Sequence, residues 1–336
     1  MKITIRRIKS VLIVFVISMG VVYILSSCNG GGGGNGDDGD DNKGNTITII
    51  PPKGPSSSED KSLDINLKQA SVAGSDYQGK KKSNSLGMAF VYIEPGTFLV
   101  GSPDGESSRD SDERQHRVTL TKGFYIQTTE VTQGQWRSIM GNNPSEFKNC
   151  GDDCPVEMVS WEDVQRLIKK LNRIEESRGY RLPTEAEWEY SARAGNMTAF
   201  ANGGILELKC GYDANLDAMG WYCGNSGVSY SGCYDASNWG GQKCAGTHSV
   251  GQKKHNYWGL YDMHGNVWEW CQEQKGDYPS GPVTNPTGPS AGLDRVNRGG
   301  SWSGSTKYCR SANRDGDSPG KRGNNLGFRL ALSPGH

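Results

Sequence analysis

The feature that most limits how this chain can fold is a change of composition near Gly87. From Asn29 the sequence runs NGGGGGNGDDGDDNKGN and then continues in Pro, Ser, Lys and Asp, with too few apolar residues to offset the entropy of ordering. Such a stretch behaves as an extended, solvated tether. Everything able to build a core therefore lies in Met88–His336, roughly 250 residues, which suits one large domain or two small ones; we read one.

Ahead of the tether, Lys2, Arg6, Arg7 and Lys9 precede an apolar run from Val11 to Leu25, the charge pattern and length of a secretory signal. The run is short for a membrane span, which needs about 20 apolar residues. It closes on Leu25-Ser26-Ser27-Cys28, which resembles a bacterial lipoprotein processing site. The expectation is a signal peptide over 1–27, lipid on Cys28 as the membrane attachment, a tether over 28–87 and a folded domain over 88–336 outside the cytoplasm, in the cell envelope or at the bacterial outer membrane or cell surface. The alternative is an uncleaved anchor helix. The Asp-Gly run lacks the spaced ligands and closing Glu of a calcium loop. With Lys+Arg 37 against Asp+Glu 37, and no basic block past the signal, a nucleic-acid partner has no electrostatic support.

Within the domain, MAFVYIEPGTFLVGS reads as two short strands around the turn dipeptide Pro95-Gly96, and VTLTKGFYIQTTEVT as further strand leading to a segment around Trp136 that can turn helical. Two helices stand out. Ser160 caps the first with Asp163 at its third position, Val164, Leu167, Ile168, Leu171 and Ile174 share one face, and Gly179 is the expected stop. Thr184 caps the second with Glu187, and Gly195 follows at the expected end. From Asn196 onward Gly, Asn, Ser, Trp and Cys dominate without sustained periodicity. The pattern is that of an α+β domain, loop-rich and low in regular secondary structure.

Seven phrases, PGTFLVGS, EVTQGQW, PVEMVSWEDV, RLPTEAEWEYSARAG, GLYDMHGNVWEW, RGGSW and NNLGFRLA, occur in an order that resembles the formylglycine-generating enzyme family, also called sulfatase-modifying factor domains, across Met88 to Leu332. The resemblance implies a C-type-lectin-like fold variant with bound calcium. The family's oxidases convert a sulfatase cysteine to formylglycine with copper(I) held between two thiolates, the first three residues after the Ser of GGS and the second five further on. Counted from Ser301 these positions are Gly304 and Cys309. Soft thiolates suit copper(I), and one of the two is missing. Copper is therefore not expected, and a fold alone does not settle function.

Nine cysteines less Cys28 leave eight, an even number in an exported chain, which favours disulfides over free thiols. Cys150 and Cys154 can close a tight local loop, while Cys210, Cys223, Cys233 and Cys244 pair among themselves in an order one sequence does not reveal. Zinc is the rival for such a cluster, but no close cysteine pair supports it. The family places the segments of Cys271 and Cys309 side by side, so the resemblance implies a Cys271–Cys309 disulfide.

The resemblance also implies a calcium ion held by the side chains of Asp262 and Glu269 and the carbonyls of Gly265 and Val267, chemistry that suits a hard cation. The alternative is a Glu269 satisfied by an arginine or by backbone amides. A second family calcium site begins near Asn225 and Ser226, with its acidic member displaced into an altered, cysteine-bearing insert near Gln242. The histidines show no spacing of a catalytic triad, and Ser301, without a His and Asp signature, reads as a hydrogen-bonding loop residue.

One branch of this family, the variable proteins of diversity-generating retroelements, interrupts a fixed C-terminal frame with residues derived from Asn codons. Here RGGSW, CRSANR and NNLGFRLAL supply such a frame, with Ser303-Gly304-Ser305, Asp315-Gly316-Asp317 and Gly323-Asn324-Asn325 in the gaps. The plainer account is that loops favour these residues for their turn conformations. The expected ligand-facing set is Trp302, Ser303, Gly304, Ser305, Tyr308, Asp315, Asp317 and Asn324. Two functions follow: a ligand-binding or surface module for a protein or glycan, or an oxidoreductase acting on protein cysteine by a variant mechanism.

Overall fold

A computed structural model of the chain describes residues 79–335, together with a short antiparallel pair, β1 (Ile17–Ser18) and β2 (Val21–Val22), in a separate unit Met1–Ser56. The expected signal peptide otherwise, Cys28 and the tether to residue 78 lie outside the described residues. Among those described, no helix is long and apolar enough to cross a membrane.

Ordered structure starts ahead of Met88. Strand β3 (Lys81–Ser83) forms the edge of a five-stranded sheet by pairing with β4 (Ala89–Ile93), so the end of the expected tether belongs to the fold. β4 and β5 (Gly96–Val100) flank Pro95 as the sequence suggests, yet they do not pair with each other. β5 pairs with β6 (His116–Leu120) in a three-stranded sheet, while β4 pairs with β7 (Phe124–Gln127) in the five-stranded one. The chain thus crosses between sheets twice. At the second crossing a Cβ on Gly123 would lie 2.1 Å from the Tyr92 hydroxyl and 2.8 Å from the Ile93 carbonyl, so only glycine lets the strands approach this closely.

Three helices carry the capping box, which satisfies otherwise orphaned N–H groups at the first turn. α1 (Gln133–Met140) starts at Thr132 with Gln135 and ends at Gly141, φ 85°. α2 (Trp161–Ile174) starts at Ser160 with Asp163 and buries Val164, Leu167, Ile168 and Leu171. Ile174 is 45% exposed and drops out of that face; the helix stops there, the chain turning left-handed at Glu176 before Gly179 is reached. α3 (Glu185–Arg193) starts at Thr184 with Glu187 and ends where Ala194 and Gly195 are both left-handed. After the two-residue strand β8 (Tyr180–Arg181) and α3, regular structure thins to α4 (Ala214–Met219) in a long connection that two disulfides pin, Cys210–Cys223 and Cys233–Cys244. Cys150–Cys154 closes the local loop expected of it.

The C-terminal third builds a four-stranded sheet in the order β12 (Arg314–Asp317), β11 (Arg295–Arg298), β9 (Trp268–Gln274) and β13 (Leu326–Gly327). A two-residue strand, β10 (Val283–Thr284), adds to β6 in parallel. The last strand, β14 (Ala331–Leu332), inserts between β7 and β8 in the five-stranded sheet. Two large apolar clusters fill the interior. One joins Phe90, Leu167, Leu171 and Phe328 around Trp270; the other joins Ile126, Val118 and Val296 around Trp188. Burying each such aromatic removes 150–250 Å² from water, which makes Trp188 and Trp270 the largest single apolar contributions.

Candidate functional site

Four arginines of the C-terminal segment are wholly or almost wholly buried, and each finds a carboxylate. From β11, Arg298 reaches Glu189 on α3 and donates to the Ser311 and Ala312 carbonyls at 3.1 and 2.8 Å. Arg314 on β12 holds both oxygens of Glu185 at 2.8 and 2.7 Å, and Arg310 holds Glu113 and, at 2.8 Å, Glu106. Burial pushes the Glu113 and Glu185 carboxyls upward, but the guanidinium contacts outweigh it and leave both below their ordinary values. The spacing of Glu185 and Glu189 on α3 therefore has a purpose: both face inward and receive β11 and β12. Helical periodicity of apolar residues does not reveal this, since charged residues are ordinarily placed outward. The signal that was available is the pair of glutamates four apart facing the arginines of the RGGSW and CRSANR phrases.

On this frame sits the loop Ser301–Cys309. Ser301 is buried, its hydroxyl 3.2 Å from that of Ser303 and 3.5 Å from Asn325 Nδ2. Trp302 does not face solvent as expected: it is 1% exposed, donates from Nε1 to the Asn324 carbonyl at 3.0 Å and packs edge-on against Phe147. The indole is apolar enough that the space beneath the loop takes it in. What remains open is Ser303, Gly304 and Ser305, half-buried, together with exposed Tyr308 and half-buried Asn324. Trp268 packs against Tyr308, ring centroids 6.4 Å apart, and its backbone N–H donates to the Asn325 carbonyl at 2.8 Å. Phe147, in contact with Trp302, also touches Tyr230, which lines a cavity of about 560 Å³ with Thr247, His248 and Gln242.

Asp315 and Asp317 are not part of this surface. They lie on β12, one edge of the four-stranded sheet, while Asn324 leads into β13 at the opposite edge. Asp317 accepts from Asn297 Nδ2 at 3.0 Å. The expected ligand-facing set is thus two patches.

The expected Cys271–Cys309 disulfide is absent: both are buried free thiols. They belong to different apolar clusters, Cys271 with Val296 and Met263, Cys309 with Phe200, Leu216 and Tyr222. Burial raises the Cys309 thiol to about 12 and the Cys271 thiol well above the usual range, so neither is a thiolate at neutral pH. A Cβ at Gly304 would meet Ser301 and Tyr308 atoms at 3.5–3.6 Å, ordinary contact, so a side chain fits there although none is present. One buried thiol beside a glycine does not fit copper(I), which needs two accessible sulfurs.

The calcium loop also departs from expectation. Arg329 donates from Nε and Nη2 to the two oxygens of Glu269, each at 2.7 Å, and Trp188 Nε1 adds a third bond at 2.8 Å. Glu269 is the arginine-satisfied carboxylate of the alternative reading, with a cation already against it. Asp262 accepts from the Gly251 N–H at 2.7 Å through Oδ2, and burial raises its carboxyl to about 6. Glu269 thus has both oxygens held by a guanidinium, whereas Asp262 Oδ1 and both oxygens of the buried Glu130, whose charge Asp262 feels, have no partner. His264 between them is a pin: the Ala201 N–H donates to its Nε2 at 3.1 Å, so Nδ1 carries the proton and donates to the Cys309 carbonyl at 2.9 Å. Asn225 is spent on its own turn, donating to Asp217 and Gly220 and accepting from the Tyr222 N–H, while Ser226 is buried beside it with its hydroxyl unpartnered.

The arrangement, an irregular α+β fold with an ion-paired C-terminal frame beneath a small polar loop, defines the class. Residues 76–334 match the sulfatase-modifying factor enzyme 1-like domain, and the chain belongs to that family, with its formylglycine-generating-enzyme type, C-type-lectin-like fold. Among its relatives, the protein named chaperone protein LppX of Paenibacillus barcinonensis is 32% identical over 71% of this chain and 87% of its own length. The formylglycine-generating enzyme of Bos taurus is 36% identical over 72% of this chain and 74% of its own. Among solved structures, Treponema denticola variable protein 1 superposes with a TM-score of 0.63 at 31% identity, covering 76% of this chain and 99% of that one.

Proposed function

We propose that this chain is an exported lipoprotein, attached to the cell envelope through lipid on Cys28, whose domain binds a protein or glycan ligand and does not oxidise a sulfatase cysteine. The observation that carries the reading is Gly304 at the place of the family's first thiol, beside a Cys309 that is wholly buried and protonated at neutral pH. The three disulfides agree with an oxidising compartment. Small polar residues on a rigid frame suit recognition, where adaptable hydrogen-bonding groups need fixed support. The likeness to a variable protein supports a frame with changeable tips; DNA near the gene encoding a reverse transcriptase and a near-copy of the final segment, differing at adenines, would be the matching genetic record.

The catalytic half is tested by incubating the purified protein with copper(I) and a sulfatase-motif peptide bearing Cys. No aldehyde should form on the peptide; its appearance would overturn the reading in favour of a variant oxidase. The binding half is tested on a glycan array and a panel of cell-surface proteins. A ligand found there should be lost when Ser303 and Ser305 are both replaced by Arg, and retention by that variant would remove the loop from the site.

A further inference from the structure

Strand β3 is an edge of the five-stranded sheet and the point at which the chain leading from Cys28 enters the domain. Lys80, Lys81 and Lys82 there are all exposed. Lysine on an edge strand guards it against pairing with another chain, a duty that makes no demand on the residues around it. Here the surroundings are particular. The Tyr92 N–H donates to the Lys80 carbonyl at 2.8 Å, and Lys82 lies opposite Phe90, so Lys80 and Lys82 leave the sheet on the face that carries Tyr92 and Tyr125. Those two half-buried rings are cross-strand neighbours with centroids 5.1 Å apart. The Lys82 ammonium sits 4.7 Å from the Tyr125 centroid and that of Lys80 5.6 Å from the Tyr92 centroid.

Exposed Lys122 joins the patch from the turn between β6 and β7, because Gly123 beside it lies against the Tyr92 hydroxyl. Among the described residues the lysines that form ion pairs are Lys253 and Lys275, not these four. The acid next to them is exposed Glu94, which follows β4 and leaves the patch positive, although the whole chain balances Lys+Arg 37 against Asp+Glu 37.

We propose that this face rests on the anionic phospholipid headgroups of the membrane, its ammonium groups against phosphates and its tyrosine rings at headgroup depth. The inference rests on lipid attachment at Cys28, which brings the domain to a bilayer through the stretch of chain that ends at β3. Lysine is a hydrated point charge on a flexible stem, suited to a fluid array of phosphates where no fixed fork is required. Tyrosine suits the boundary between water and hydrocarbon. None of the exposed large apolar side chains belongs to β3, β4 or β7, so a folded protein partner would find no anchor there. The patch shares no residue with the loop Ser301–Cys309, so membrane and ligand do not compete for side chains.

The test places the full chain with its lipid on vesicles of phosphatidylcholine, with or without phosphatidylglycerol. Lysines are acetylated by a water-soluble ester and mapped by mass spectrometry. Lys80, Lys81, Lys82 and Lys122 should react at least threefold more slowly on the anionic vesicles. The difference should vanish in about 1 M salt, where screening acts within roughly 3 Å. Lys209, whose carbonyl accepts from the Thr306 N–H of the ligand loop at 3.3 Å, should react equally on both. Combining Lys80→Glu with Lys82→Glu should abolish the difference at Lys81 and Lys122; should that variant not fold, the vesicle comparison on the unaltered protein decides alone. Attachment to both vesicles with equal labelling overturns the inference and leaves the lipid anchor standing. No attachment to the neutral vesicles removes the anchor and the inference with it. A difference that persists in the double variant would also overturn it, as would protection by soluble dextran sulfate and not by anionic vesicles, which would assign the patch to an acidic polysaccharide.

Discussion

Arg329 and Glu269, neither more than 1% exposed, face each other through two parallel bonds of 2.7 Å. Glu269 stands where the family resemblance implied a calcium ligand, and both its oxygens are held by the Arg329 guanidinium. Removing one partner of such a buried pair costs about 3–5 kcal/mol, because the other charge is stranded. Arg329→Met should therefore lower thermal stability by that amount, while a calcium chelator should leave the melting temperature of the unaltered protein unchanged. A chelator-induced drop in melting temperature would restore calcium to this loop.

Cys271 and Cys309 should resist alkylation in the folded protein and react fully once it is unfolded, with no reductant needed. Peptide mapping by mass spectrometry after alkylation distinguishes this from a disulfide, which stays unreactive in denaturant until reduced.

Gly304→Cys should fold, since the position has ordinary space around a Cβ and its φ is not left-handed. The new thiol supplies the family's missing sulfur. The variant should nonetheless take up copper(I) only weakly, because Cys309 remains buried and protonated; stoichiometric tight binding in a luminescence competition would show that Cys309 opens more readily than its packing indicates.

Stability should depend on pH through Glu273. Its carboxyl titrates at about 8 when folded against 4.5 in the ordinary case, so the folded chain holds the extra proton between those values. The contribution is fully present below about pH 4.5 and declines as pH rises to 8. At about 1.4 kcal/mol per unit the full loss is on the order of 5 kcal/mol. The melting temperature of the unaltered protein should fall relative to Glu273→Gln between pH 5 and 8, and parallel curves would refute the assignment.

Substitutions in the loop and in its frame should separate cleanly. Ser305→Ala is a surface change expected to stay within about 0.5 kcal/mol. Arg310→Met strands Glu113 and should cost about 3–5 kcal/mol by denaturant titration.

What could be read from the sequence was local. Capping residues announce their helices because Ser160, Thr184 and their partners three residues on act through neighbouring backbone. The tight Cys150–Cys154 loop was legible for the same reason. The ordered phrases carried the fold class, yet not the sheet exchange at Pro95, which depends on β7 and β6 finding separate partners. At the site, the missing thiol at Gly304 was visible directly. The burial of Trp302, the separation of Cys271 from Cys309 and the claim of Arg329 on Glu269 were not, since each depends on residues 60 or more positions away or on which cluster a side chain joins. Glu273 was overlooked altogether: its signal, a carboxylate reaching the N-terminus of α3 from β9, exists only in three dimensions.

Strand β14 has a bearing on how the molecule is made. It lies inside the five-stranded sheet, between β7 and β8, yet among the described residues it follows every other strand in sequence. Until Ala331 and Leu332 have been synthesised, β7 and β8 each lack a neighbour and the sheet that opens the domain stays unfinished. A cut between β8 and Ala331 would therefore unseat a central strand, not trim an edge.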